Sequence, residues 1–412
     1  MKVAFVTLGC KLNYAETSRI ERDFVQNGHE VVPHTKKADL YVVNTCSVTE
    51  HSNKKCRNII NRLHRLNPDA RIAVTGCYAQ LKGEEILAME GVCTVVGIQD
   101  KGRLLELATS AGEPAFHYRH WSEVDSFVPA YSSGERTRAF LKVQDGCDYH
   151  CAYCTVPLAR GGSRNAPVSV LVEQTREIAE QGILEVVVTG VNTGDFGKST
   201  GETFLDLLKA LTAVPGIERW RISSIEPNLL TPEIIDWIAT GTKKVMPHFH
   251  IPLQSGCDTV LKRMRRRYTT AAFADKIALV RERLGDVFFG IDVIVGFPGE
   301  SEALFQETLA FLEKIRPAFI HIFPYSIRPD TPAAEFPDQV SPAEKDRRVK
   351  VLESLCERLH TEYIERHKGC KASVLFESRD KGGIMYGYTE NYIRIERPYN
   401  ESKIGRICEE TI

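Results

Sequence analysis

The 412-residue sequence has almost no net charge: 53 Lys and Arg stand against 54 Asp and Glu, a formal balance of −1. No global positive field advertises a nucleic-acid partner, so any contact with phosphate must come from local patches. There is no run of about 18 apolar residues, which argues against a membrane-spanning helix. Internal repeats and low-complexity segments are also missing. The opening Met1–Cys10 has a short apolar run without a small-residue cleavage site, so it reads as a first β-strand and not as a signal peptide. With 43% hydrophobic residues the chain can bury ordinary cores, enough for two to three domains. Its 12 cysteines are too sparse for a disulfide scaffold of this size. In a reducing, cytoplasmic setting, clustered cysteines point to metal more than to disulfides.

The first 125 residues alternate short apolar strands (Val3–Leu8, Leu40–Asn44, Arg71–Thr75, Val92–Val96) with amphipathic stretches such as Glu16–Asn27 and Lys54–Leu66. That rhythm predicts an α/β fold, a doubly wound domain with a parallel sheet. A polar linker is expected from about His117 to Arg138. Six further strands then alternate with helices: Ala139–Gln144, Glu185–Thr189, Arg219–Ile225, His248–Leu253, Phe288–Val295 and Ala318–Pro324. Helices are expected over Val168–Gln181 and Thr269–Leu284, each stopped by a glycine (Gly182, Gly285). Six βα units predict a partial barrel over 138–368. Its last helix starts at Ser341-Pro-Ala-Glu344, read as a capping box, and runs to about Lys368. From Cys370 on, Ala372–Phe376, Ile384–Thr389 and Tyr392–Glu396 are short and β-branched or aromatic. With turns at Lys381–Gly383 and Tyr399-Asn400, residues 369–412 predict a small antiparallel β-barrel.

The strongest chemical signal is Cys147-Asp-Tyr-His-Cys151-Ala-Tyr-Cys154. Three thiolates this close can hold three irons of a [4Fe–4S] cluster and leave the fourth open. An open iron can chelate the amino and carboxylate groups of S-adenosylmethionine (SAM). The run follows the first barrel strand, where loops of βα barrels carry catalysis. A zinc knuckle is the competing reading; it lacks a nearby fourth cysteine, and His150 beside Cys151 is awkwardly placed to replace one. The spacing, with aromatic Tyr153 before the last cysteine, resembles the radical SAM superfamily. Val188-Thr-Gly-Val-Asn192, Ser223-Ser-Ile-Glu226, Pro252-Leu-Gln-Ser-Gly256 and Val295-Gly-Phe-Pro-Gly299 follow later strands, as SAM-pocket segments of that superfamily do. The resemblance thus implies cofactor contacts from Tyr153, Gly190, Asn192, Ser224, Glu226, Gln254, Ser255, Arg266 and Gly296. Each segment also reads as plain turn chemistry.

Cys10, Cys46 and Cys77 each end an apolar strand, at separations of 36 and 31 residues. Ligands of a doubly wound sheet bind beyond the carboxyl ends of its strands, so three cysteines there predict a second three-thiolate cluster. The plainer reading is three small buried hydrophobes. Thr7-Leu-Gly-Cys-Lys-Leu-Asn13, Asn44-Thr-Cys-Ser-Val-Thr49 and Thr75-Gly-Cys-Tyr-Ala-Gln80 are similar to the cluster motifs of the radical SAM methylthiotransferase family, over essentially the whole chain. Ser373–Glu377 and Gly387–Tyr392 resemble a TRAM domain, an RNA-binding module. Three departures stand out: Gly161-Gly-Ser-Arg-Asn165 where more arginines are usual, Asp330 where glycine is common, and Glu300-Ser301 for Glu-Thr.

The resemblance implies two [4Fe–4S] clusters, SAM, a tRNA substrate and an electron donor such as flavodoxin or ferredoxin. It implies a methylthio group added to C2 of N6-threonylcarbamoyladenosine at position 37, with radical chemistry at an unactivated carbon and no general base. Isopentenyladenosine in tRNA, a ribosomal protein, and a non-catalytic iron–sulfur RNA-binding protein are the alternatives. Cys56, Cys93, Cys257, Cys356, Cys370 and Cys408 share no spacing that suggests a site. The basic run Lys262–Arg267 and the group Lys54, Lys55, Arg57, Arg62 and Arg65 are candidate phosphate contacts, though charge runs are usually solvated faces.

Overall fold

The computed structural model describes residues 1–132, 137–377 and 382–412. A parallel sheet opens the chain. Its strands are β1 (Lys2–Thr7), β2 (Glu30–Val31), β3 (Leu40–Thr45), β4 (Arg71–Gly76), β5 (Val92–Val96) and β6 (Ala115–His117), in the order β2-β1-β3-β4-β5-β6. Both faces are covered, so β3 is buried at every position instead of alternating. Val43, Ile60 and Val74 pack on one face, Val3, Phe24 and Val42 on the other. The order reverses between β1 and β3, and such a reversal opens a crevice beyond the strand ends. Helices Lys11–Gln26 and Glu50–Leu66 start four to five residues before the stretches that periodicity marks. Cys10 and Thr49 occupy their N-caps, and the first turns carry polar residues that hide the apolar period.

The expected linker is partly strand. β6 completes the first sheet, and β7 (Ala130–Tyr131) pairs antiparallel with β8 (Arg138–Lys142). A separate antiparallel pair, β9 (Gln144–Asp145) and β10 (Arg164–Asn165), frames the loop that holds Cys147, Cys151 and Cys154. β8 is then extended by parallel strands β11 (Glu185–Thr189), β12 (Arg219–Ile222), β13 (Val245–Gln254), β14 (Phe288–Val295) and β15 (Phe319–Pro324), giving the six-stranded partial barrel. Helices Val168–Glu180 and Thr270–Leu284 end before Gly182 and Gly285 as expected. The last helix, Pro342–Glu365, corrects the capping-box reading. Ser341 accepts from the Glu344 N–H, but the Glu344 carboxylate is taken by Arg347 and Arg348.

The chain ends in a four-stranded antiparallel sheet of β16 (Lys371–Phe376), β17 (Ile384–Tyr388), β18 (Arg394–Pro398) and β19 (Ile407–Thr411), in the order β18-β17-β16-β19. β19 has no counterpart in the sequence reading, because two of the five residues in Ile-Cys-Glu-Glu-Thr are charged. Arg397 of β18 reaches Glu410 and the Thr411 carbonyl of β19, so the edges lean together as a half-barrel. Lys381 of the expected turn lies outside the described residues. Val374, Phe376 and Ile395 pack on Phe288 and Tyr363 of the barrel layer. Among the described residues no helix is long and apolar enough to cross a membrane.

Candidate iron–sulfur and SAM site

Cys10, Cys46 and Cys77 follow β1, β3 and β4, which are neighbours in the sheet. Side chains of the surrounding motifs lace these strand ends together. The Asn13 amide donates to the carbonyls of Leu8 (2.7 Å) and Thr45 (3.0 Å). The Thr45 hydroxyl donates to the Thr75 carbonyl at 2.6 Å and accepts from the Ala79 N–H. Both glycines before a cysteine are forced by close approach. A Cβ on Gly9 (φ +101°) would lie 2.7 Å from the Cys46 Cβ, and one on Gly76 (φ +103°) would lie 2.3 Å from the Thr45 carbonyl oxygen. Gly76→Ala should therefore cost about 1–3 kcal/mol. Urea unfolding checks it; an unshifted midpoint would show that the turn before Cys77 yields freely.

Burial, with neighbouring thiols adding to it, pushes Cys46 up to about 12 and raises Cys77. Burial likewise pushes Cys147 and Cys154 of the barrel loop up to about 12. Backbone N–H groups of Tyr149 and Val156 point at the Cys147 and Cys154 sulfurs, each at 3.4 Å. The short helix Cys77–Leu81 packs against Val156–Arg160, the helix that follows Cys154. His150 is exposed. The other six cysteines are free, and several are spent on packing: the Cys56 thiol donates to the Cys46 carbonyl, Cys93 to that of Ile72, and Cys356 to that of Ile320.

Each triad receives one arginine. Arg266, which the resemblance picks out, donates to the Cys151 sulfur at 3.1 Å and holds Glu226 with two bonds. Arg160 was not legible from the sequence, where it is merely the charged end of Val156–Arg160. It comes from the barrel loop, yet its Nε donates to the Cys77 sulfur at 3.2 Å. The same guanidinium bonds Glu16, Asp145 and Asn13. Around it lie Lys101, Lys142 and Arg164, so four cations meet two carboxylates in a buried network. Burial opposes ionisation of Glu16 and Asp145, but Arg160 and the lysines outweigh it and hold both carboxyls well below the usual range.

Two cavities adjoin the triads. The larger, about 660 Å³, is lined by Cys10 and Lys11 at the start of the first helix, barrel residues including Gly190 and Ser224, and Tyr392 from the connection between β17 and β18. The smaller, about 210 Å³, is lined by Tyr153, Cys154, Gln254 and Asp292. Between them His250 is held by Ser224 on one ring nitrogen and Asp292 on the other, both at 2.7 Å. Asn192 is buried, taking the Gln144 side-chain oxygen on its N–H. Ser255 and Gly296 line neither cavity: Ser255 faces Thr308, and Gly296 packs on Lys345 with its N–H on Glu300. The run Lys262–Arg267 is no single solvated face. Met264 is buried, Arg266 points inward, and Arg267 lies over the Tyr149 ring at 3.8 Å. Lys54, Lys55, Arg62 and Arg65 do stand exposed on one helix, while Arg57 is paired with Glu50 and Glu85. Asp330 has φ +67°, a left-handed position that aspartate tolerates better than most residues, which accounts for its standing where glycine is common.

Residues 2–97 match a family described as Uncharacterized protein family UPF0004, and residues 141–312 match the Radical SAM superfamily. The threonylcarbamoyladenosine tRNA methylthiotransferase MtaB of Bacillus subtilis is 40% identical over 98% of this chain and 92% of its own length. The protein of that name from Aquifex aeolicus is 37% identical over 96% and 97%. The tRNA-2-methylthio-N(6)-dimethylallyladenosine synthase of Ruegeria pomeroyi is 36% identical over 98% and 95%. In fold, the chain is similar to the radical S-adenosylmethionine methyltransferase TsrM from Kitasatospora setae, with TM-score 0.59 and 16% identity over 92% of this chain and 79% of that one. The radical SAM match brings SAM and a [4Fe–4S] cluster with it as cofactors. The chain is an enzyme of the radical SAM methylthiotransferase family and resembles the relatives named MtaB.

Proposed function

We propose that this enzyme adds a methylthio group to C2 of N6-threonylcarbamoyladenosine at position 37 of tRNA, using two [4Fe–4S] clusters, one on Cys147, Cys151 and Cys154 and one on Cys10, Cys46 and Cys77. The observation that carries the reading is Arg160, which runs from the loop that holds Cys147, Cys151 and Cys154 to the sulfur of Cys77. The donor sets fit. A single zinc with bonds of about 2.3 Å would draw its thiolates to about 4 Å of one another. Among the described residues, the three potential ligand atoms that close within 4.8 Å are those of His250, Asp292 and His321, not of either cysteine triad. The buried excess of two positive charges beside Cys77 also suits an anionic, thiolate-ligated group there. Loading would displace the thiol protons that burial now retains.

Bound in these places, the cluster on Cys147, Cys151 and Cys154 would supply one-electron reduction of SAM, the cluster on Cys10, Cys46 and Cys77 would supply a place for the sulfur to be transferred, and a second SAM would supply the methyl group. The chain's own residues bind, align and enclose. Glu226 and Arg266 brace Cys151 from the barrel side, and Asn13, Thr45 and Arg160 fix the strand ends that carry Cys10, Cys46 and Cys77. In this reading 1–125 carries the sulfur-holding triad, 138–368 the radical chemistry, and 369–412 is a TRAM-like unit that helps hold tRNA. The enzyme works in the cytoplasm, with a flavodoxin or ferredoxin as electron donor. The test is an anaerobic reaction of the reconstituted protein with SAM, reductant and tRNA bearing threonylcarbamoyladenosine or isopentenyladenosine, followed by nucleoside mass spectrometry. The methylthio product is expected from the first tRNA; product from the second alone would move the enzyme to the dimethylallyl branch.

A further inference from the structure

The larger cavity has an unusual charge. Among the described residues its lining holds Lys11, Arg138, Arg221, His248, His250 and His321, and no aspartate or glutamate. Two of the three fixed cations are already engaged. Arg138 pairs with Glu377 and Glu185, and Arg221 with Glu185 and the carbonyls of Thr389 and Glu390. Lys11 is different. Among the described residues it has no hydrogen-bond or ion-pair partner, although Cys10 before it and Asn13 after it are both at the site. Its side chain is exposed to the water that fills this cavity. Two polar atoms of lining residues, the Ser223 hydroxyl and Nδ1 of His248, are buried with no hydrogen-bond partner among the described residues. A lysine with no ion-pair partner, in a cavity whose described lining carries no carboxylate, is free to pair with an anion that a ligand brings.

We propose that this cavity takes the N6 substituent of the target adenosine and that Lys11 pairs with its carboxylate. The inference rests on the substrate reading above, since threonylcarbamoyladenosine carries the free carboxylate of threonine whereas a dimethylallyl group is uncharged and offers Lys11 no partner. The placement suits the chemistry. Cys10 and Lys11 line the same space, so an adenosine anchored by its substituent at Lys11 has its ring held beside the triad that carries the sulfur. Tyr392, stacked on His248 at a centroid distance of 4.1 Å, meets the substituent from the far side. A backbone phosphate is the other source of an anion on tRNA, but it would have to bring two sugars into an internal space. Lys11 is therefore a specificity-determining residue. A site built around a charged substrate group rejects the analogue lacking it more strongly than an apolar pocket rejects a missing methylene.

Equilibrium dialysis with the full-length, anaerobically reconstituted protein tests this, using three probes: N6-threonylcarbamoyladenosine, its methyl ester and inorganic phosphate. The parent protein should bind the acid at least about tenfold more tightly than the ester. Lys11→Met should remove that preference by weakening the acid alone, and Lys11→Arg should keep it. Iron content, measured on each variant, separates a lost ligand contact from a lost cluster. Equal affinity of the parent protein for acid and ester would overturn the proposal without any variant. So would a Lys11→Met protein weakened equally toward both, or phosphate displacing the acid at comparable concentration. In turnover, Lys11→Met should raise KM for tRNA bearing threonylcarbamoyladenosine. An unchanged KM with the parent active on that tRNA would remove Lys11 alone, whereas a parent active only on isopentenyladenosine would remove the substrate reading and this proposal together.

Discussion

Replacing Cys10, Cys46 and Cys77 together by Ala should abolish methylthio product while SAM is still cleaved to 5′-deoxyadenosine. Replacing Cys147, Cys151 and Cys154 should abolish both. Each triple variant should lose about half of the iron. The basis is positional: one triad sits beyond β1, β3 and β4, the other in the loop between β9 and β10, so neither set needs the other's thiolates to form. The Asn13 and Thr45 bonds that lace the strand ends survive loss of the three sulfurs, because none of them uses one. A purely structural role for Cys10, Cys46 and Cys77 predicts a different pattern, with both activities lost together. The measurement is paired, 5′-deoxyadenosine and modified nucleoside from one anaerobic reaction. Full methylthiolation by the first triple variant would remove that triad from the mechanism.

Arg160→Met should destabilise the protein by about 3–5 kcal/mol, the usual cost of breaking a buried ion network by removing one partner. The guanidinium is 2% exposed and bonds Glu16, Asp145, Asn13 and Cys77 at once. No other side chain can make that set, because lysine offers one nitrogen where arginine offers three. Arg160→Lys should thus recover part of the stability and little of the geometry. Since Glu16 belongs to the first helix and Asp145 to the barrel, the loss should appear as looser docking of the two. Urea unfolding and limited proteolysis report it. A Met variant with the parent midpoint would mean that Lys101, Lys142 and Arg164 already neutralise the two carboxylates.

Much of this was legible in the sequence, and the rest has physical reasons for being hidden. Strands such as β3, β4 and β14 are apolar runs bounded by turn residues, and they lie close to where composition puts them. The six cysteines were marked by position, three at strand ends and three in one short loop. β7 and β19 were hidden because a two-residue edge strand and a strand with two charged residues in five carry no pattern. Arg160 and Lys11 were hidden for another reason: what matters in each is a partner, or the lack of one, brought by a distant segment. The contacts of Ser255 with Thr308 and of the Gly296 N–H with Glu300 were hidden as well, since each partner comes from a helix or loop that local sequence does not point to.

The last sheet closes the barrel at the end where its strands begin. Arg219 and Arg221 of β12 donate to the carbonyls of Ser373, Tyr388, Thr389 and Glu390, and the Arg221 guanidinium lies over the Tyr392 ring at 4.8 Å. Tyr392 is thereby a stop set into the floor, and its reach determines how deep the internal space can be. A chain with a smaller side chain at this place would own a deeper chamber with the same strands, the same loops and the same cysteines. The depth of that space is thus set from outside the barrel, by a turn that contributes none of its strands.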